Sequence, residues 1–178
     1  AVDAATAPGL NALVERIRTA FRAPDGGFYS TAEQHEALVL RPREGFDGAT
    51  PSANAVAARA LARLSYHFGE PVLRDEARRA LEAYGQLIAR QPRAFATSLM
   101  TLELLVQGPV ELAFIGPADA RRQALARAVA DVFIPRLVVG HHDPGTGEST
   151  MPLLAHKQAI AGIPALHVCR DQSCQRPT

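Results

Sequence analysis

The hydrophobic pattern changes character at Gly108-Pro109, and this change limits the possible folds more than any other feature of the sequence. Before it, apolar residues recur at helical spacing in segments that end at Pro or Gly, which predicts four amphipathic helices. The predicted helices cover about 9–22, 51–68, 72–90 and a segment that follows Pro92. We therefore predict a mainly α fold followed by a small α/β part, with domains at 1–108 and 109–178.

The C-terminal part has the pattern of a strand, a helix and a strand. The runs VELAFIG and RLVVG are short, apolar and bounded by Pro and Gly, and residues 119–133 between them carry a helical apolar stripe. Two strands joined by a helix within about thirty residues form a βαβ unit, with parallel strands and a right-handed crossover. A third strand is predicted at Ala165 to Cys169.

Composition indicates a globular domain and excludes several classes of function. Apolar residues make up 47% of the 178 residues and charged residues 21%, which is not typical of disordered chains. A net charge of +1 gives no indication of nucleic-acid or membrane binding. No apolar run reaches the roughly 18 residues that a membrane span needs. The start of the chain has no signal-peptide pattern, so we expect a soluble, cytoplasmic protein that is trimmed or belongs to something longer.

The second helix begins in the stretch DGATPSANAVAARAL. Thr50 is a good N-cap, and Pro51 suits the first helical position because its φ is preset and its missing N–H would be unpaired anyway. An apolar stripe behind them predicts the face that packs into the core. Its members are Ala53, Val56, Ala57, Ala60, Leu61, Leu64 and Phe68. The cap leaves Asp47, Ser52 and Asn54 unexplained.

A long polar connection, FYSTAEQHEALVLRPREGFDGAT, precedes this helix and contains one predicted strand, Ala37 to Leu40. Long ordered connections are often functional. Its charged groups within fifteen residues are Glu33, His35, Glu36, Arg41, Arg43, Glu44 and Asp47. Carboxylates beside a histidine can do general acid–base chemistry, and arginine can hold an anionic or hydroxyl-rich ligand. The alternative is a solvated loop, to which Asn54 hydrogen-bonds from the helix.

Cys169 and Cys174 have a C-x4-C spacing, which is wider than that of redox motifs and zinc knuckles. Four histidines could complete a metal site, but nothing in the sequence brings four ligands together. They are His141, His142, His156 and His167. We therefore expect buried free thiols and no metal. The alternative is a labile disulfide, which requires a turn after Arg170.

The turn after the first predicted strand, Gly116-Pro117-Ala118, does not match a phosphate-binding loop. It has one Gly where the dinucleotide fingerprint has three, and Pro117 has no N–H to offer a phosphate. His141-His142 follows the second strand at its carboxyl end, where open α/β sheets bind ligands. We nevertheless predict no nucleotide site and no cofactor.

Three stretches occur in the same order as in a known family. They are GGFYSTAEQHEALVLRPREGFDGATPSANAVAARALARL, PVELAFIG and HVCRDQSCQRP. With them the chain resembles the YyaL-type, spermatogenesis-associated thioredoxin-domain family from about residue 8 onward. The core of the match is RPREGFDGATPSAN, in which PSAN stands where the family usually has PSGN, and the terminal C-x4-C supports it.

The resemblance implies an architecture and partners. Members carry an N-terminal thioredoxin-like domain, followed by an (α/α) toroid similar to those of six-hairpin glycosidases and sugar 2-epimerases. This chain would be their C-terminal third, in which helical hairpins of an incomplete toroid precede the βαβ unit. The remaining thioredoxin-like and toroid portions would be its partners, and apolar helix faces that they leave uncovered should drive self-association.

Loops at one rim of such a toroid line a central pocket, so the resemblance implies that the polar connection faces it. The matching positions are His35, Glu36, Arg41, Asp47, Ser52 and Asn54. The resemblance assigns none of them a catalytic role. We expect Asp47 to accept backbone N–H groups of its own turn, Asp47-Gly48-Ala49, and Asn54 to point into the pocket.

Three functions remain open from the sequence. The first is a fragment of a carbohydrate-processing enzyme with an incomplete pocket for a carbohydrate ligand. The second is a non-catalytic helical scaffold or partner-binding module, and the third is a small domain whose loop binds an anion. Carboxylates about 5–10 Å apart across a cleft would favour the first. A fully hydrogen-bonded Asp47 away from a cleft would favour the second, and an anion at Arg41 and Arg43 the third.

Overall fold

The computed structural model describes residues 2–3, 6–34, 39–170 and 173–178. The chain divides into two compact units. The helical unit consists of Pro8–Ser65 and Glu70–Gln107, and the sheet unit of Ala1–Ala7, Tyr66–Gly69 and Gly108–Thr178. The expected fold class, mainly α with a small α/β part, is confirmed. The predicted domain boundary stays a prediction.

The helices before the sheet follow the predicted order with shifted bounds. They are α1 (Ala7–Ala20), α2 (Ala53–Phe68), α3 (Pro71–Glu82), α4 (Gly85–Arg90) and α5 (Ala96–Gln107), with a 3-10 turn at Pro92–Phe95. The predicted helix over 72–90 is two helices because the backbone leaves helical geometry at Tyr84, with φ −115° and ψ 9°. Of the strand predicted at Ala37 to Leu40, the first two residues lie outside the described residues, and Val39 and Leu40 form no strand.

In the described part of the chain, no helix is both long enough and apolar enough to cross a membrane.

Helix α2 buries a different face from the predicted one. Its buried residues in the helical unit are Asn54, Ala55, Ala58, Leu61, Ala62 and Ser65. Of the predicted stripe only Leu61 is buried, whereas Val56 is 50% exposed. The prediction failed because alanines make α2 apolar around most of its circumference, and periodicity then identifies no single inner face.

The sheet unit is built on a five-stranded mixed sheet with strand order β1-β3-β2-β4-β5. Its elements are β1 (Val2–Asp3), β2 (Val110–Ile115), α6 (Ala120–Ala130), β3 (Leu137–His142), a 3-10 turn at Pro144–Thr146, β4 (Ala165–Arg170) and β5 (Ser173–Cys174). β2 and β3 are parallel neighbours joined through α6, which confirms the predicted βαβ unit. β4 lies antiparallel to β2 on its other side. β1, which the apolar pattern did not predict, pairs parallel with β3.

Side-chain alternation gives the sheet two apolar faces. The cluster on the face that α6 covers includes Val110, Leu112, Phe114, Leu125, Val129 and Leu166. The cluster on the opposite face includes Ala113, Ile115, Val138, Met151, Leu154, Tyr66 and Phe68. Every residue of β2 is therefore buried, as expected for a central strand with layers on both sides.

The turn between β2 and α6 is closed by its own side chains. The Asp119 carboxylate caps α6 by accepting a hydrogen bond from the Arg122 N–H at 2.9 Å. The Arg122 guanidinium donates to the Gly116 carbonyl at 3.0 Å. A carboxylate at this helix N-terminus takes the place and the negative charge that a phosphate would have there. That this turn binds no nucleotide stays a prediction.

Cys169 and Cys174 form a disulfide, so the prediction of free thiols is wrong. The two residues lie directly opposite one another on the antiparallel strands β4 and β5. Arg170 pairs with Ser173, so the reversal of chain direction that a disulfide requires after Arg170 is present. Spacing alone did not show the link because it depends on strand register, which the sequence leaves open. Cys169 is 2% exposed, whereas Cys174 lies on the exposed edge strand.

The variant Cys174→Ser should lower the free energy of unfolding of the sheet unit by about 2 kcal/mol, the stabilisation expected from a cross-link that closes a short loop. Urea denaturation of wild type and variant measures the difference, and a double Cys169→Ser, Cys174→Ser variant controls for the thiol left behind. Thiol titration of the unfolded, unreduced chain should find no free cysteine. Two titratable thiols per chain would contradict the disulfide.

Candidate functional site

The structure describes four of the six predicted pocket residues, and each of them hydrogen-bonds to backbone groups. The four are Arg41, Asp47, Ser52 and Asn54. All four lie in the helical unit, in or beside the segment RPREGFDGATPSAN, called the motif segment below. The other two candidates, His35 and Glu36, lie outside the described residues. The contacts of the four show what this segment does.

Asp47 joins the beginnings of two helices. Its Oδ1 accepts a hydrogen bond from the Ser52 N–H at 3.0 Å, and its Oδ2 accepts one from the Thr97 N–H at 2.7 Å. Ser52 precedes α2 and Thr97 lies in the first turn of α5, where N–H groups have no partner within the helix and the helix dipole favours a negative charge. The Asp47 N–H in turn donates to the Ala94 carbonyl at 2.8 Å. The carboxylate thus bonds to two helices and not, as predicted, to its own turn.

Ser52 is the N-cap of α2. Its Oγ accepts a hydrogen bond from the Ala55 N–H at 3.1 Å, and its carbonyl accepts one from the Val56 N–H at 3.0 Å. The predicted cap at Thr50 is therefore wrong, since the helix begins later, at Ala53. Ser52 is buried, and both its hydroxyl and its N–H are used to fix the start of α2.

Asn54 ties α2 to two other segments. Its Oδ1 accepts a hydrogen bond from the Phe28 N–H at 2.9 Å, and its Nδ2 donates to the Ala80 carbonyl at 3.2 Å. Ala80 is in the last turn of α3, where carbonyls have no partner within the helix. Gly27 has φ +76°, and a Cβ there would come within 2.6 Å of Asn54 Oδ1, so a larger residue does not fit. Asn54 is 2% exposed and both ends of its amide are hydrogen-bonded, while its predicted place facing the interior of a toroid stays a prediction.

Arg41 holds the C-terminal end of α1. Its Nη2 donates to the Ala20 carbonyl at 3.1 Å and to the Thr31 carbonyl at 2.7 Å. Its guanidinium carbon lies 4.0 Å from the centroid of the Tyr29 ring, which is within the range of a cation–π interaction. A positive charge at a helix C-terminus is favourable for the helix dipole. Arg41 therefore acts on backbone and ring, and not on a free anion site.

Arg43 lies over the same Tyr29 ring, with its guanidinium carbon 5.8 Å from the centroid, and forms an ion pair with Asp25. It is also 5.8 Å from the centroid of the Tyr84 ring. Burial opposes the charge of Arg43, but Tyr84 and Asp25 favour it, so its pKa is raised above its ordinary value. Because this charge is already neutralised by Asp25, the loop gives little support to the anion-binding function.

Between the arginines and Asp47, the motif segment packs against aromatic rings. Gly45 lies against Tyr84, where a Cβ would come within 2.4 Å of a ring carbon. The rings of Phe46 and Phe95 have centroids 4.9 Å apart, and Phe95 is fully buried. The sequence did not predict these contacts, because none of Gly45, Phe46 and Tyr84 carries a chemical signal, although the Gly-Phe pair beside Asp47 is visible in it.

A polar cleft of about 320 Å³ lies in the helical unit between the turn 22–28 and α3. Its charged lining residues are Arg22, Asp25, Glu76, Arg79 and Glu82. Glu76 is buried and ion-paired with Arg18 at 2.9 Å and with Arg22 at 3.3 Å. Carboxylates and guanidiniums around a cleft of this size suit a small polar ligand. Among the residues that the structure describes, no group of three or more His, Cys, Asp or Glu side chains could hold a metal ion.

The variant Asn54→Ala should lower the free energy of unfolding by roughly 2–4 kcal/mol, because the Phe28 N–H and the Ala80 carbonyl are left buried without partners. Asn11→Ala is the matched control, since Asn11 is exposed on α1, and it should change stability by less than about 0.5 kcal/mol. Urea denaturation of the two variants measures both changes. Equal stability of Asn54→Ala and wild type would contradict the structural role of Asn54.

No protein-family model matches the chain. Curated relatives do match it. Spermatogenesis-associated protein 20 of Homo sapiens is 31% identical over 156 residues, which cover 85% of this chain and 20% of the human protein. The Mus musculus protein of the same name is 29% identical over 163 residues, which cover 88% of this chain and 21% of the mouse protein. The chain therefore spans about a fifth of the length of these relatives.

The matches cover 85–88% of the chain. They confirm the predicted resemblance to the spermatogenesis-associated thioredoxin-domain proteins. Over the matched segment the chain is similar in sequence to spermatogenesis-associated protein 20.

Proposed function

We propose that this chain is a non-catalytic, partner-binding module, the C-terminal segment of a thioredoxin-domain-containing protein. Its helical unit serves as a scaffold on which further helices of an (α/α) toroid pack. The thioredoxin-like and toroid portions of the longer protein are its proposed partners, and a cytoplasmic location is part of the same proposal. The first support is the length of the relatives, of which this chain spans about a fifth.

The observation that carries the proposal is the outer face of α2, formed by Ala53, Val56, Ala57, Ala60 and Leu64. Ala53 and Val56 of this face are exposed, Val56 at 50%, whereas its other three residues are half-buried. Apolar side chains on the side of a helix away from its buried face are normally covered by another element. On α5, Leu102 and Val106 are also exposed, at 44% and 68%, while Ser98 and Thr101 are buried. Such surfaces typically mark contact sites.

The motif segment supports a scaffold rather than a catalytic site. Both carboxylate oxygens of Asp47 accept backbone N–H groups, and both ends of the Asn54 amide are hydrogen-bonded. A general base or a nucleophile needs a group that can reach a substrate. The hydrogen bonds of this segment instead join α1, α2, α3 and α5, through Arg41, Asp47, Ser52 and Asn54.

A second candidate function is carbohydrate processing, favoured by the polar cleft between the turn 22–28 and α3. Its carboxylates and guanidiniums are of the kind that bind hydroxyl-rich ligands. Arg79 and Glu82 are exposed at this cleft, while Asp25 is ion-paired with Arg43. This function would use residues outside the motif segment, and the missing part of a toroid would have to complete the pocket.

The wild-type chain should self-associate and bind a hydrophobic dye, because the outer face of α2 is left uncovered. Val56→Asp should abolish or strongly weaken both properties, with a change in unfolding free energy of only about 0.5 kcal/mol, as is usual for an exposed site. Sedimentation velocity and dye fluorescence measure the two effects.

The matched control is Val72→Asp, since Val72 is 47% exposed but lies on α3. It should leave association and dye binding as in wild type. A wild-type chain that sediments as a clean monomer and binds no dye would count against the proposed docking surface.

A further inference from the structure

We infer that the partner docking on the outer face of α2 is an amphipathic helix that presents carboxylates to Arg59 and Arg63. The inference rests on the proposed function and names the chemistry of the partner at that surface. Three observations carry it: the placement of the two arginines beside the apolar face, their lack of an acidic partner among the residues that the structure describes, and their mutual repulsion.

The two arginines border the apolar face. Val56, Arg59 and Arg63 are spaced three and four residues apart on α2, which places their side chains along one side of the helix. Arg59 extends toward α5, where its Nη1 lies 3.8 Å from the Met100 sulfur. Met100 is itself 37% exposed. A helix that covers the apolar face would therefore meet a flank that carries two positive charges.

Arg59 and Arg63 differ from the arginines that form ion pairs. Among the described residues, the salt bridges of arginine involve Arg18, Arg22, Arg43 and Arg78. None of these bridges includes Arg59 or Arg63. Like charges four residues apart on a helix repel one another. Burial, together with the positive charge of Arg59, lowers the pKa of Arg63.

A half-buried arginine beside a like charge gains most from a carboxylate. A partner helix with an apolar stripe and acidic residues beside it would therefore be complementary to the outer face of α2, which has Arg59 and Arg63 beside it. A second copy of this chain can associate through the apolar residues of this face, but a symmetric dimer would bring the two arginine pairs together, so it binds more weakly than a partner that carries carboxylates. A nucleic acid fits less well because the apolar residues next to the arginines would meet a polar backbone.

The test uses two labelled, designed helical peptides with the same Leu and Ala stripe, one with two Glu one turn apart on its flank and one with two Lys. Fluorescence anisotropy should show that the wild-type chain binds the Glu peptide at least about tenfold more tightly than the Lys peptide. The double variant Arg59→Glu, Arg63→Glu should reverse this order. Arg90→Glu, on the exposed α4, is the control and should leave the order as in wild type.

Reversal in the double variant, with wild-type order in the control, supports the inference. Equal binding of both peptides, unchanged in the double variant but lost in Val56→Asp, overturns it while leaving the apolar docking surface in place. Binding of neither peptide, together with a monomeric chain that binds no dye, overturns both the inference and the proposed function. Folding of the double variant is checked by circular dichroism, and single charge reversals at Arg59 or Arg63 replace it if it unfolds.

Discussion

The helical unit depends on one carboxylate, that of Asp47, which bonds to the N-terminal ends of α2 and α5 at once. Each helix start has N–H groups without helical partners and a partial positive charge, so a single anion between them stabilises both. Because α2 and α5 are far apart in sequence, this contact links two distant segments of the helical unit. The other motif residues extend the same arrangement, with Asn54 holding α3 and Arg41 holding α1.

This arrangement explains why so polar a segment precedes an ordinary helix. Charged and amide groups concentrated in a loop resemble a catalytic site, but here their partners are backbone groups at helix ends. Asp47, Ser52 and Asn54 are thus engaged within the fold, whereas the outer face of α2 includes apolar residues that remain exposed. Function is proposed to lie in that face, with its flanking arginines, and the polar cleft beside the turn 22–28 is the second place where a ligand could bind.

Much of the fold could be predicted from the sequence, because strand runs bounded by Pro and Gly and a helix between them identify a βαβ unit. The N-cap at Ser52 could not be predicted, because several neighbouring polar residues are equally good N-caps. The inner face of α2 could not be predicted either, because its many alanines leave no distinct apolar stripe. The disulfide between Cys169 and Cys174 depends on strand register, which has no local signal. For the candidate site, the sequence identified Asp47, Ser52 and Asn54 as polar residues with a specific role. It did not show whether they bind a substrate or the backbone, because the partners of Asn54 and one partner of Asp47 lie far away in sequence.

The central claim is that Asp47 is a structural link between two helices. Amide hydrogen exchange of wild type and Asp47→Ala, resolved by NMR at Ser52 and Thr97, tests it most directly. The account predicts that both amides are protected in wild type and that both lose protection together in the variant, since both donate to the same carboxylate. Unchanged protection of Ser52 and Thr97 in Asp47→Ala would contradict it.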